Sequence, residues 1–498
     1  MNLSISYLTA VFGIICAKCL GFLRESVVAG KFGASSLTDI YFQVFSVANV
    51  VFTAVGVSLS VLVVKSINAS KCTNERGFVK IFLKKALAYS LIAELVLAGL
   101  GKVFVTALLP GLTQNEFHTA LKLYYIMLPT LLFITPAYTL NGVLQNKGRF
   151  FVTSVLSMPF NIIIIGSLLS GLKNIYAFGA VTTVGWAAQL LFLLPFYFKS
   201  VPKTSQSVSK KAVFQSLTLS ELCFIIVSNL VFQLLFVMDK AFVSANAGMS
   251  SAIHYSSYLF TTVSGIFLAG MSAVFFPSLT KSISEKDENG ANSLIRYTLL
   301  FMLAVFAAYL MLVGLYAKNI ISLLYERGNF TAENTRVVSE YFRIYSLCIF
   351  GYITQELLFK IFYAKNRYKL TVISAVLIMA SNLAADFIFK SSPFLIVVST
   401  AVLCCVLAAA MFFVLAREHK GIFNPKFGKM SLAILASSLV FPLCYLPFYM
   451  LGFAENSGKL FFAVPAVIGS LAYLALLWKF GILKEIFLYK SAKGEQEK

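Results

Sequence analysis

Lys18, Arg24 and Glu25 stand within about two helical turns of one another in an otherwise apolar run, AKCLGFLRESVV, and Asp39 follows shortly after. An ionisable side chain at the centre of a bilayer costs about 2.5–3.5 kcal/mol on insertion scales, so such groups persist only facing one another or a wet cavity. At about 100° per residue, Lys18 and Glu25 fall on nearly the same helix face, with Arg24 about a quarter turn away. Arginine grips phosphate in a bidentate fork and lysine adds a point charge. This net cationic patch suits an anionic headgroup, a pyrophosphate or a carboxylate. Glu25 and Asp39 would orient the cations and tune release.

The second half of the chain has its own intramembrane ionisable residues: Asp239, Lys240, Glu356, Lys360 and Asp386. Facing halves would bring Arg24 and Glu25 towards Asp239 and Lys240, and Lys240 would join the anion site. Mutual neutralisation of Asp239 and Lys240 as packing partners is the bland alternative. Asn382 and Asp386 lie four residues apart and stack on one helix face. With Asp239, and with Thr400 from the following span, they offer oxygen ligands to a small hard cation, Na⁺, or a relay for H⁺. The alternative for Asp386 is hydration at the outer interface. No cofactor beyond such a coupling ion is expected.

Catalysis finds no support. The chain has no nucleotide-binding glycine loop, no His-rich metal motif and no serine elbow. His118 and His419 fall in loops. His254 reads as a packed core histidine, with pH sensing as the other reading. The eight cysteines have neither metal-ligand nor disulfide spacing.

These residues must be positioned by membrane helices. Of 498 residues, 59% are hydrophobic and only 12% charged, and apolar runs of bilayer-crossing length recur from end to end. The first run reads as a retained span because it carries internal charges and no small-residue cleavage site follows it. About fourteen spans are expected, near 5–30, 37–65, 80–108, 119–146, 151–172, 174–198, 217–246, 250–281, 293–325, 335–364, 369–390, 393–416, 429–453 and 459–480. Pro129, Pro136 and Pro159 read as kinks. The fold class is thus all-α and polytopic: a six-helix lobe over 1–200, a second over 212–420, two further spans within 428–481 and a polar tail, 482–498. The net charge of +21 reflects topology, with no nucleic acid implied. Lysine and arginine favour the loops after even-numbered spans by about three to one, which places both termini in the cytoplasm.

The chain also repeats itself. LRESVVAGKFGASSLTDIYFQVF (23–45) aligns without gaps on MDKAFVSANAGMSSAIHYSSYLF (238–260). Gly33 meets Gly248, Ser35 and Ser36 meet Ser250 and Ser251, and Asp39 meets His254. QNKGRF (145–150) echoes AKNRY (364–368). Two similarly oriented six-span halves related by an axis along the membrane normal are a transporter pattern.

The segments LGFLRESVVAGKFGASSLTDIYFQVFSVAN (20–49), 238–260, FFPSL (275–279) and LLYERGNFT (323–331) resemble the MurJ (MviN) lipid II flippases. That family belongs to the superfamily of multidrug, oligosaccharidyl-lipid and polysaccharide exporters. The resemblance spans nearly the whole chain. It implies a bacterial inner-membrane flippase that moves lipid II from inner to outer leaflet by alternating access, with membrane lipids and the cell-wall synthesis machinery as partners. It implies that Lys18 and Arg24 bind the pyrophosphate, that Asp39 matches a span-two aspartate, and that Asp239, Asn382, Asp386 and Thr400 form a sodium site. Lys18 stands where the family usually has arginine, and Glu25 where it has aspartate. The last two spans would shelter the lipid tail. Two departures stand out: Phe52 and Tyr258 occupy positions of family arginines. An exporter of another polyprenyl-linked glycan, of capsule or teichuronic type, is therefore the rival reading, and a multidrug cation antiporter a weaker one.

Overall fold

The structure, a computed structural model, describes residues 3–70, 74–202, 230, 234–284, 287–364, 368–418, 421–451 and 460–485. Helices and short turns make up these residues, with no strand among them. That follows from a bilayer solvent, where each backbone polar group must find its partner inside its own segment.

In chain order, α1 is Leu3–Phe32, α2 Ser36–Ser46 and α3 Thr53–Ser70, the last two joined by a widened turn at Val47–Phe52. Next come α4 (Glu75–Gly99), α5 (Gly101–Leu108), α6 (Gln114–Met127), α7 (Thr130–Asn146), α8 (Phe150–Ser154), α9 (Met158–Leu169) and α10 (Ile175–Ser200). A helical stretch at 234–242 precedes α11 (Met249–Ser284), α12 (Glu288–Tyr325), α13 (Ala332–Ala364) and α14 (Tyr368–Ile388). The chain continues with α15 (Pro393–Glu418), α16 (Pro425–Ser438), α17 (Val440–Met450) and α18 (Ala463–Lys479).

Most expected spans coincide with one helix or a broken pair. Among the described residues, six helices are long and apolar enough to cross a bilayer, or seven if the pair α4 and α5, bent by 73°, is one span. The expected span 217–246 lies largely outside the described residues. Of the expected kinks, only Pro136 is internal to a helix. Pro129 lies at the break between α6 and α7, within one apolar span over Gln114–Asn146, and Pro159 stands in the first turn of α9, where a missing N–H costs nothing because the turn has no acceptor for it.

The chain forms two compact units. One comprises Met1–Tyr255, Arg327–Thr331 and Ala375–Ile396; the other comprises Ser256–Glu326, Ala332–Ser374 and Val397–Lys498. In the first, Leu62 and Val63 of α3, Phe82 of α4, Leu140 of α7 and Leu193 of α10 share one buried core. Gly142 lets α7 approach α3 closely, since a Cβ there would lie 2.6 Å from the Ser60 carbonyl oxygen. Membrane helices pack through such small residues. In the second, Leu300 and Ala304 of α12 pack with Ile434, Phe441 and Tyr473. The Tyr473 hydroxyl donates to the Ala304 carbonyl at 2.9 Å and ties α18 to α12. Leu91, Ile92, Leu95 and Val96 on α4 are exposed, as befits a lipid-facing surface.

Candidate functional site

The site lies in the first compact unit. Arg24 and Glu25 are both buried, and they form a direct ion pair on α1. The Arg24 guanidinium also donates to the side-chain carbonyl of Asn161 on α9 at 3.1 Å. It lies over the rings of Phe160 and Phe45, 5.2 and 5.6 Å from their centroids. Glu25 has a second partner, His254 Nε2 at 3.3 Å, on the first turns of α11. The His254 ring stacks on Phe42 of α2, with centroids 3.7 Å apart and planes at 18°. Three helices, α1, α9 and α11, thus contribute to one buried chain of polar groups, Asn161–Arg24–Glu25–His254. Inside an apolar bundle, each of these charges persists because another group faces it.

Asp39 is the second feature. One carboxylate oxygen accepts from the Gly248 N–H at 2.6 Å, and the other accepts from the N–H and the hydroxyl of Ser251, both at 2.6 Å. The first amides of a helix have no intrahelical acceptor, and a carboxylate there is favoured by the helix dipole. Asp39 of α2 therefore caps α11 from another element. Nearby, the Tyr255 hydroxyl donates to the Gly33 carbonyl at 3.2 Å, and Asn329 bonds the carbonyls of Gly30 and Lys31. Gly33 has φ +66° and Gly248 φ +84°. The glycines that match in the repeat thus share the left-handed turn that glycine adopts without strain.

At the same end of α2, the Ser36 hydroxyl donates to Glu116, whose other oxygen caps α6 through Thr113. The Ser36 hydroxyl, then the Thr113 bonds, hold the Glu116 carboxyl below its ordinary range.

The third feature is a buried polar set. Asn382 Nδ2 donates to Asp239 Oδ1 and to Asp386 Oδ2, each at 3.0 Å. Asp386 Oδ1 is buried with no hydrogen-bond partner. Two carboxylates and an amide could offer oxygens to a hard monovalent cation once the Asn382 amide, whose N–H groups here face both carboxylates, turns its oxygen to them. Lys240, next to Asp239, instead donates to the Ser46 hydroxyl of α2. Thr400 is buried but belongs to the second unit.

The arrangement differs from the expected one in its partners. Arg24 and Glu25 bond each other, with Asn161 and His254 as further partners, and Lys240 lies near enough to Glu25 for their charges to interact. Lys18 is half-buried two turns before Glu25 and joins neither ion pair. Asn161 and Ser46 gave no signal in the sequence, since uncharged polar residues are common in membrane helices. His254 did, through its place opposite Asp39 in the repeat.

The second unit holds an apolar cavity of about 410 Å³ between α12, α17 and α18, lined by Phe301, Val305, Phe441, Tyr473, Leu474 and Leu477.

A family profile described as lipid II flippase MurJ matches residues 28–469. A probable lipid II flippase MurJ of Buchnera aphidicola is 22% identical over 97% of this chain and 98% of its own length. That of Aquifex aeolicus is 24% identical over 95% of both chains. Among solved structures, lipid II flippase MurJ in an inward closed conformation superposes with a TM-score of 0.79 at 21% identity, covering 95% of this chain and 99% of its own. An inward-facing multidrug-resistance MATE family transporter of the MOP superfamily gives 0.64 at 12% identity, covering 81% of this chain and 95% of its own. At such identities the superpositions establish the fold.

Proposed function

The chain belongs to the MurJ lipid II flippase family, and on that premise we propose that it carries lipid II from the inner to the outer leaflet of the bacterial cytoplasmic membrane by alternating access. It is a transporter and not an enzyme. The observation that carries the reading is the buried Arg24, held by an aspartate-like partner, an amide and two aromatic rings within an apolar bundle. A guanidinium kept there at such cost suits an anion that must cross the membrane.

In this reading the pyrophosphate of the headgroup competes with Glu25 for Arg24, and Lys18 and Lys240 add positive potential. The bonds of Asp39 to Gly248 and Ser251 close the outer side, because the loop containing Gly33 is assigned outward by the charge bias. Asp239, Asn382 and Asp386 would hold a coupling Na⁺, which supplies a fixed positive charge when bound. Such an ion drives the cycle only if it binds the inward and outward states with different affinity. The apolar cavity between α12, α17 and α18 takes part of the polyprenyl tail. Rescue of a bacterium depleted of its lipid II flippase tests the reading. Growth restored by this chain and lost with Arg24→Ala, compared at matched protein level, is expected.

A second reading, export of a different polyprenyl-linked glycan, draws on Phe52 and Tyr258. Phe52 is fully buried, and a phenylalanine at this position supplies no cation to a headgroup. Rescue of only a capsule-export mutant would favour it.

A further inference from the structure

Arg24 poses an electrostatic difficulty that the flippase reading leaves open. A guanidinium already paired with a buried carboxylate is neutralised, and a phosphate that takes it leaves Glu25 as an uncompensated buried charge, which is strongly unfavourable. Glu25 has a second neighbour that can change its charge. His254 Nε2 is 3.3 Å from Glu25 Oε2, on the side of the carboxylate away from Arg24.

We propose that His254 is a positioning residue of the anion site: on taking up a proton it becomes the counter-ion of Glu25 and frees Arg24 for the headgroup phosphate. The proposal deepens the flippase reading and rests on it. Among the described groups, several face His254. Glu25 and Arg24 come from α1, and Lys240 comes from the stretch 234–242. From α2, Phe42 covers one face of the ring, while Asp39 is already committed to Gly248 and Ser251. With His254 neutral, Arg24 and Glu25 sum to zero. With His254 protonated the trio carries one positive charge, which an anion entering the site stabilises. Linkage then runs both ways: the anion favours proton uptake, and the proton favours the anion. Phe42 holds the imidazole flat in either state, so the ring need not move to change partners.

The test is binding to the purified full-length protein in lipid nanodiscs, with undecaprenyl pyrophosphate as one probe and lipid II as the other. Wild type should bind undecaprenyl pyrophosphate about tenfold more tightly at about pH 5.5 than at about pH 8, across the histidine range. His254→Arg, charged at both values, should bind at both about as tightly as wild type does in acid. His254→Phe keeps a ring on Phe42 and should bind weakly at both; His254→Gln replaces it if the Phe variant does not fold. Comparing variants removes the titration of the probe's own phosphates. A wild-type pH slope that survives in His254→Phe or His254→Arg overturns the proposal, as does a wild type with no slope. If undecaprenyl pyrophosphate shows the expected pattern while lipid II does not bind, His254 stands and the lipid II reading falls. Lipid II binding with no dependence on His254 keeps that reading and removes this one.

Discussion

The carboxylate of Asp39 caps a helix to which it does not belong: both the N–H and the hydroxyl of Ser251, in the first turn of α11, reach one of its oxygens at 2.6 Å. Its other oxygen takes the Gly248 N–H. One side chain on α2 thereby satisfies three donors at the start of α11. Hydrogen bonds to a charged acceptor contribute about 1.5–3 kcal/mol each when partly buried. Asp39→Asn, which keeps the shape and removes the charge, should lower stability by about 2 kcal/mol, and Ser251→Ala by about 1 kcal/mol. Thermal unfolding in detergent reads both. An Asn variant that melts with the wild type would show that the cap holds nothing.

The buried pair of Arg24 and Glu25 should behave as a unit. Removing one partner of a buried ion pair leaves the other uncompensated and costs about 3–5 kcal/mol. Arg24→Ala alone should therefore be more damaging to stability than Arg24→Ala with Glu25→Ala. A double-mutant cycle on unfolding midpoints measures the coupling. Both variants should lose transport, since each lacks the cation. Transport retained by either would remove Arg24 from the site.

Asp386 Oδ1 is buried without a hydrogen bond, and Asn382 joins the carboxylate to Asp239. Asp386→Asn should abolish Na⁺ stimulation of lipid II transport in reconstituted vesicles and weaken radioactive Na⁺ binding at least tenfold, about 1.4 kcal/mol. Transport equally indifferent to Na⁺ before and after the change would exclude this set as the coupling site.

Glu116 stands in the first turn of α6, ahead of the expected span 119–146, and supplies a pH dependence whose sign can be worked out. The Ser36 and Thr113 bonds depress its carboxyl relative to the unfolded chain. A depressed acid contributes stability that is present above the ordinary glutamate value of 4.5 and is lost as pH falls through the folded value. Glu116→Gln should cost about 0.5–1 kcal/mol at neutral pH, the scale of a lost cap, and nothing in strong acid. Unfolding midpoints of the two proteins should converge on acidification; a constant gap would refute the assignment.

Gly33 and Gly148 both have positive φ, +66° and +71°, but in different surroundings. A Cβ on Gly33 would lie 2.5 Å from the Asn329 carbonyl oxygen, whereas Gly148 has nothing within 4 Å. Gly148→Ala bears only backbone strain, about 1–2 kcal/mol, while Gly33→Ala adds the clash and should cost clearly more. Equal losses in unfolding midpoint would mean the turn relaxes away from Asn329.

Much of the molecule was legible from composition and spacing. The bilayer demands long apolar runs with paired internal charges, so helix positions and the charged candidates Arg24, Glu25, Asp39, Asp239 and Asp386 followed directly. The glycine-serine turns of the repeat were legible too, since Gly33 and Gly248 occupy the same left-handed conformation. Pro129 and Pro136 interrupt the span Gln114–Asn146, one at a helix break and one inside a helix, whereas Pro159 starts α9, because proline suits a helix start as well as a bend.

What the chain determined by itself was which residues are charged within the bilayer and which turn carries each helix into the next. Hydrophobic length and helical period are local properties, readable one segment at a time. Partner choice is not local. That Glu25 would reach His254, that Arg24 would take Asn161, and that Asp39 would cap α11 depended on helices about 140 to 230 residues apart along the chain coming within hydrogen-bond distance. A buried charge must be satisfied by something, but only tertiary packing decides by what.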